Sequence, residues 1–297
     1  MIQGKVIKAI IPARMTSSRL PGKMMLDIAG KPNLQRVIER TQSSQLIDGV
    51  VIAFTTNKED DCLEEFCITH NYEYFRGSEN DVLDRIIKAA RITNTDVVVE
   101  LTSDCPLIWY RHIDYLIDWH MQDYPNFDMT TNIEKRTFPR GFDIRIVNIE
   151  SLERSQTEIS NDVDRQHALT FMYLNPEGRK NYKVQNWSAP PGQNRPDIEV
   201  TLDEPDDLLL INFIYGFESQ GYNLELSCSE VIGIINAYPA MYEKVAKIKR
   251  KDYFQELEEC YAKQNIDKEV KENESIPSID SGLRSAGRRG RPRKESQ

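Results

Sequence analysis

The chain has 297 residues, with 38 lysines and arginines against 47 aspartates and glutamates for a net charge of −9, and at 39% hydrophobic it can bury one large core or two small ones. Its longest uncharged apolar run, 231–242, contains Pro239 and falls short of the ~20 residues a membrane-spanning helix needs. No secretory leader is visible, no Cys/His spacing reads as a zinc site, and five scattered cysteines suit a reducing cytoplasm better than a disulfide framework.

In chain order, Val6–Ile11 is a continuous apolar run, the pattern of a strand buried on both faces. The polar loop Pro12–Lys23 follows, then a helix over 32–42 opened by Pro32. Gly49–Phe54 reads as a second buried strand, Asp60–His70 as an amphipathic helix and Tyr72–Phe75 as a short strand. Asp81–Thr93 is a helix with Val82, Leu83, Ile86, Ile87 and Ala90 at 3-and-4 spacing and Asn80 or Asp81 as N-cap. Val97–Leu101 is a fourth buried strand and His112–Gln122 a helix. This alternation predicts an α/β fold with a parallel sheet and helices on both faces. Beyond it, Phe127–Thr131, Asp143–Asn148 and Ile198–Leu202 read as strands. Asp162–Leu174, Asp206–Gln220, Val231–Lys247 (with a turn at Tyr238–Pro239) and Asp252–Lys263 read as helices. The domain is expected to span 1–263, and 264–297 to be a mostly disordered tail.

Charge is uneven along this plan. Residues 284–297 hold Arg284, Arg288, Arg289, Arg291, Arg293 and Lys294 against Glu295, so this end carries +5 and the remainder −14. So acidic a body does not suit a general nucleic-acid binder, whose affinity rests on phosphate contacts. The R-G-R-P core of the tail resembles an AT-hook, which implies minor-groove DNA binding; attraction to any anionic surface is the simpler alternative.

Ligands of open parallel sheets bind outside the strands' carboxyl ends. The loop leaving the first strand therefore matters most: within a dozen positions it holds Pro12, Ala13, Arg14, Ser18, Arg19, Gly22 and Lys23. Its three cations could surround a triphosphate, with hydroxyls and loop N–H groups on the phosphate oxygens; a solvated basic surface loop is the alternative. It is not a P-loop, since G-x-x-x-x-G-K-[ST] is absent. Asp104, just after the fourth strand, suits a Mg²⁺ ligand or an ordinary turn before Pro106. Asp206 and Asp207 suit a helix N-terminus, which leaves Asp203 or Glu204 for a second metal ligand. Asp162 and Asp164 form a D-x-D, but Ser160-Asn161-Asp162 reads as a helix cap. Cys105, His70, His112, His120 and the three tryptophans read as packing or surface residues.

Six segments, in order, resemble the CMP-sugar synthetase-like nucleotidyltransferases: IPARMTSSRLPGKMM (11–25), FRGSENDVLDR (75–85), LTSDCPL (101–107), TFPRGFD (137–143), DRQHALTFMYLNPE (164–177) and VTLDEPDDLLLI (200–211). The likeness covers most of 5–220 and is strongest to the spore-coat polysaccharide (SpsF-like) branch. It implies a Rossmann-like, GT-A-like three-layer sandwich, a cytoplasmic enzyme that moves CMP from CTP to an acidic or sugar acceptor, and by analogy a homodimer. It also implies residues: Arg14, Ser18, Arg19 and Lys23 on the phosphates; Asp104 and Asp203 on Mg²⁺; Thr55, Asn80, Asp84 and Arg85 near the nucleoside. Arg140, Asp143, Arg165 and His167 are implied for the acceptor, with His167 equally readable as a plain helix residue. One departure is Ser103, where the family usually has Gly before the metal Asp; Ser is tolerated if φ stays negative. The competing classes are a glycosyltransferase, which would release a nucleoside diphosphate, and a non-catalytic nucleotide-binding or DNA-tethered regulator.

Overall fold

The first apolar run forms β1 (Ile7–Pro12), with Ile7, Ala9, Ile10 and Ile11 fully buried, as a strand covered on both faces requires. Around it the computed structural model, which describes residues 1–219, 225–250 and 252–274, builds a sheet of seven strands. β2 (Asp27–Ile28) and β3 (Lys31–Pro32) form a separate antiparallel pair. Then α1 (Asn33–Gln42), β4 (Gly49–Thr55), α2 (Asp61–His70), β5 (Glu73–Gly77), α3 (Val82–Ile92), β6 (Val97–Glu100) and α4 (Tyr110–Gln122) alternate. β7 (Met129–Thr131), β8 (Arg145–Asn148) and β9 (Val184–Asn186) complete the sheet in the order β5-β4-β1-β6-β8-β7-β9.

The sheet is mostly parallel; only β8 runs against both neighbours. That reversal sets the start of β8 beside the end of β6, so Arg145 stands opposite Glu100 at the carboxyl edge. The helices make the outer layers. On one face Leu34, Val37 and Ile38 of α1, Leu63 and Phe66 of α2 and Ile113, Leu116 and Ile117 of α4 cover Ile7, Ile11, Ile52 and Val99. On the other, Leu83, Ile86 and Ile87 of α3 cover Ile10, Val51 and Val98. Each such side chain contributes roughly 1.5–3 kcal/mol by leaving water. α3 starts where its cap dictates: Asp81 accepts from the Asp84 N–H at 2.9 Å.

The second half departs from the expected elements in several places, the unforeseen strand β9 among them. A helix not foreseen, α5 (Ile149–Glu158), follows β8 directly; only Ile149, Leu152 and small Ser151 and Ser155 face inward, a weak apolar signal. The single helix expected over 162–174 is two short ones, α6 (Asp162–Gln166) and α7 (Thr170–Tyr173), broken where Ala168 takes φ +51°. Fully buried Asp164 explains the break: it accepts from Asn161 at 2.6 Å and Asn175 at 2.8 Å, and these polar bonds replace a continuous ladder. Ile198–Leu202 is no strand but a segment tied by one bridge, Arg140 to Glu199. Gly141 allows it: with φ +112°, a Cβ there would lie 2.8 Å from Val200 Cγ2.

α8 (Pro205–Ser219), α9 (Cys228–Ala237), opened by a Ser227/Glu230 capping box, and the short α10 (Pro239–Tyr242) then pack a third core with Leu20, Leu107, Phe138 and Phe142. Residues 1–252 form one unit; α11 (Tyr253–Glu274) begins a second, so the helix expected to end at 263 runs further. The Arg-rich stretch from 284 lies outside the described residues. Among the described residues no helix is long and apolar enough to cross a membrane.

Candidate active site

The loop after β1 takes its shape from one buried carboxylate. Asp60 accepts the Met15 N–H at 2.7 Å on one oxygen, and the Thr55 N–H (2.9 Å) and hydroxyl (2.6 Å) on the other. Ala13 N donates to Ala53 at 2.9 Å and so carries the ladder past Pro12. The loop closes where Gly22, at φ +71°, donates to Met15 at 3.1 Å. Buried Leu20 and Met24 anchor it, leaving Arg14 and Ser18 exposed and Arg19 and Lys23 half-buried.

Asp104 and Asp203 meet, and Lys23 stands between them. Its Nζ lies 2.9 Å from Asp203 Oδ1, 3.4 Å from Asp104 Oδ2 and 3.0 Å from the Leu202 carbonyl. The two loops are joined directly by Leu202 N donating to the Asp104 carbonyl at 2.8 Å. Arg19 adds Nη2 at 3.0 Å from Asp203, with Nη1 at 3.7 Å from Glu204. Burial opposes charge at Asp104, but the Lys23 ammonium and the Thr102 hydroxyl hold its carboxyl below the usual range. Burial likewise opposes the Lys23 charge, and Asp104 and Asp203 together raise its pKa. Ser103 avoids the left-handed region, so no glycine is required before Asp104; its carbonyl accepts from Asn33 at 2.9 Å.

Two converging carboxylates are hard oxygen donors of the kind Mg²⁺ takes, with substrate phosphates and water completing its shell. Among the described residues no group of three or more His, Cys, Asp or Glu side chains is placed to hold an ion, which leaves Asp104 and Asp203 as the protein oxygens on offer. Arg19 Nη1, buried without a hydrogen-bond partner, is a donor available to such a ligand. These residues therefore fit the ion.

Toward β5 the expected residues divide. Arg85 is 2% exposed, donates to the Ser78 carbonyl at 2.6 Å, and leaves Nε unpartnered. Burial, then neighbouring Arg14, push its pKa down to about 10. Arg14 lies 3.8 Å from Glu79, which also accepts from Thr16 (2.8 Å) and Asn57 (2.6 Å). Asn80 is exposed at the start of α3. Asp84 faces away, to Lys88 at 2.7 Å and Gln156 at 3.1 Å, and the Thr55 hydroxyl is used on Asp60.

The four acceptor candidates do not form one group. Asp143 sits at the carboxyl edge, where burial opposes its charge but Arg136 holds its pKa down through a two-bond fork at 2.7 and 2.8 Å. Arg140 lies nearby, half-exposed, 3.9 Å from Glu199. Arg165 is turned to the α3 side, 2.7 Å from Asp81 and bonded to the Gln156 and Ile159 carbonyls. His167 closes α6, its N–H donating to Val163 at 2.8 Å. Asp164 of the D-x-D is the buried cap partner of Asn161. Burial and adjacent Asp104 push the Cys105 thiol well up, consistent with a packing residue.

Sequence reading passed over Glu100, Arg136, Arg145, Glu199 and Arg250. Arg145, largely buried, pairs with buried Glu100, and Arg250 pairs with Glu199 and Asp207. The one available signal was an arginine alternating with apolar residues inside a buried strand, Ile144-Arg145-Ile146.

A family model described as cytidylyltransferase matches residues 8–208. The spore coat polysaccharide biosynthesis protein SpsF of Bacillus subtilis is 30% identical over 235 residues, 77% of this chain and 94% of that one. The 3-deoxy-manno-octulosonate cytidylyltransferase of Pelobacter propionicus is 34% identical over 128 residues, 42% of this chain and 48% of that one. Among solved structures, a cytidylyltransferase from Leptospira borgpetersenii superposes with a TM-score of 0.74 at 27% identity, covering 84% of this chain and all of that one (100%).

Proposed function

Because this chain belongs to the cytidylyltransferase family and is a nucleotidyltransferase, we propose that it transfers CMP from CTP to a sugar or sugar-acid acceptor, releasing pyrophosphate, in the making of a surface-glycan precursor. The observation that carries the reading is the convergence of Lys23, Asp104 and Asp203 beneath Arg19. The acceptor oxygen attacks the α-phosphorus in line and pyrophosphate leaves on the opposite side. Arg14, Arg19 and Lys23 neutralise the triphosphate and then the charge growing on the leaving pyrophosphate. Asp104 and Asp203 would hold Mg²⁺, which when bound supplies Lewis-acid polarisation and a template for the phosphates. Lys23, whose Nζ lies between the two carboxylates, would supply its charge to a phosphate oxygen.

Arg85, with its unpartnered Nε, and exposed Asn80 are the residues assigned to the nucleoside end. Arg140 and Asp143 serve the acceptor, Arg140 as the accessible cation for an acidic group and Asp143 as a hydrogen-bond acceptor fixed by Arg136. Arg165, engaged by Asp81 on the α3 side, and His167, at the end of α6, are not assigned a direct contact with it. Five unpaired thiols suit a reducing, CTP-containing cytoplasm, and a homodimer is the assembly proposed. Pyrophosphate release, with CTP compared against UTP and GTP over a panel of acidic sugars, tests the reading. Turnover that depends on CTP and an acceptor supports it; release of a nucleoside diphosphate from a nucleotide sugar sinks it.

A further inference from the structure

We propose that Arg250, which lies beyond the 8–208 span of the family match, is a positioning residue that holds Asp203 in place and links it to the acceptor arm. The inference rests on the reading of Asp104 and Asp203 as metal ligands.

Asp203 stands in a segment with no strand ladder to fix it, so its main chain needs another hold. Asp207 provides it, one oxygen accepting both the Asp203 N–H (2.9 Å) and the Glu204 N–H (2.8 Å). Asp207 is fixed in turn by the Arg250 guanidinium, whose Nη1 and Nη2 reach its two oxygens at 2.9 and 2.7 Å. The third donor, Nε, lies 3.2 Å from Glu199. Glu199 also accepts from Thr201 at 2.8 Å and stands 3.9 Å from Arg140. One planar cation thus ties the carboxylate behind the metal arm to the carboxylate behind the acceptor arm.

Burial gives this tie its force. The Asp207 side chain is 1% exposed and that of Arg250 12%, so water screens little of the attraction and neither partner can swing away to be solvated. Arg195 and Asp197 make a similar fork at 2.8 and 2.6 Å upstream in the same segment. That pair is 33% and 60% exposed, and the Arg195 side chain reaches on to Asn236 and touches neither Asp207 nor Glu199, which makes it the natural control.

The test compares Arg250→Gln, Arg250→Lys, Asp207→Asn, the Gln/Asn double variant and Arg195→Gln in the full chain. Mn²⁺ binding in the presence of CTP is read by electron paramagnetic resonance, and kcat and KM for CTP by pyrophosphate release. Arg250→Gln is expected to weaken Mn²⁺ binding and lower kcat by about 10-fold each, the lower end for an outer partner of a metal ligand, with KM for CTP within about 2-fold. Arg250→Lys, which restores charge but not the fork, should recover part of the loss. Asp207→Asn keeps an oxygen for the two N–H groups and should lose less. The double variant should be no worse than Arg250→Gln, because the two residues act as one unit. Arg195→Gln should match the wild type.

A folded Arg250→Gln enzyme with wild-type Mn²⁺ affinity and kcat overturns the proposal. So does a double variant whose loss is the full product of the single losses. If Arg250→Gln does not fold, Arg250→Lys and Asp207→Asn decide by the same readouts. A wild-type protein that neither binds Mn²⁺ with CTP nor releases pyrophosphate would instead remove the parent reading, and this one with it.

Discussion

On the β1 side of the sheet, Arg14, Ser18, Arg19 and Lys23 come from a single loop shaped by one carboxylate, Asp60. On the β8 side, Arg136, Asp143, Arg145, Glu199 and Arg250 come from several separate segments between 136 and 250 and are matched cation to anion. The first region leaves donors open, such as Arg19 Nη1 and Arg85 Nε, whereas in the second the buried forks are closed. A site for a fixed polyanion can be written into one stretch of chain, because phosphate asks only for clustered donors and positive charge. A pocket for a variable acceptor is shaped by tertiary contacts, and its buried charges must be neutralised wherever the chain provides a partner.

The sharpest way to break this contrast is Asp104→Ala, which removes the carboxylate that pairs with Lys23 beside Asp203. Pyrophosphate release should fall by about 1,000-fold or more while the melting curve stays cooperative; retained Mg²⁺-dependent turnover would refute its role. Next comes Lys23→Met, expected to cost about 100-fold in kcat/KM for CTP with little change in acceptor KM, as fits a residue of the nucleotide side.

A third test probes the aromatic cluster beneath the β8-side segment, where His112 packs among Trp109, Phe138, Phe142 and Trp187. Burial pushes its pKa from 6.5 down to about 4, against the bond with Gln193. The unfolded chain therefore takes up a proton that the folded one refuses, and stability is lost as pH falls from 6.5 toward 4. The loss should approach about 3 kcal/mol at the acid end, and His112→Phe should flatten that part of the urea-unfolding profile. Arg140→Ala should raise acceptor KM by about 10-fold and leave KM for CTP unchanged; equal changes in both would erase the distinction between the regions. The smallest effect is at Ala168, where φ is +51°. Ala168→Gly should stabilise the chain by about 0.5–1 kcal/mol in urea unfolding.

Legibility in the sequence followed the same divide. The strands and helices of the first half show in their apolar periodicity, because burial on two faces leaves a mark on almost every residue of β1, β4 and β6. The cation loop and Asp104 are equally plain, being contiguous. The break at Ala168 and the bridge at Glu199 left no such mark, since the first is imposed by polar bonds among Asn161, Asp164 and Asn175 and the second by close backbone approach at Gly141, neither of which shows in apolar periodicity. Arg165 shows the difficulty: it sits in a telling motif, yet its partner, Asp81, is on the α3 side.

The sequence alone determined the alternating layers, the polar cradle after the first strand and the two acidic loops, because short-range patterning and a strand's covering suffice for these. Tertiary structure decided that Asp104 and Asp203 face each other across Lys23, that Asp143 is neutralised by Arg136, and that Arg250 returns to brace the site. A charge pair depends on distance in space and on exclusion of water, and neither is set by position along the chain.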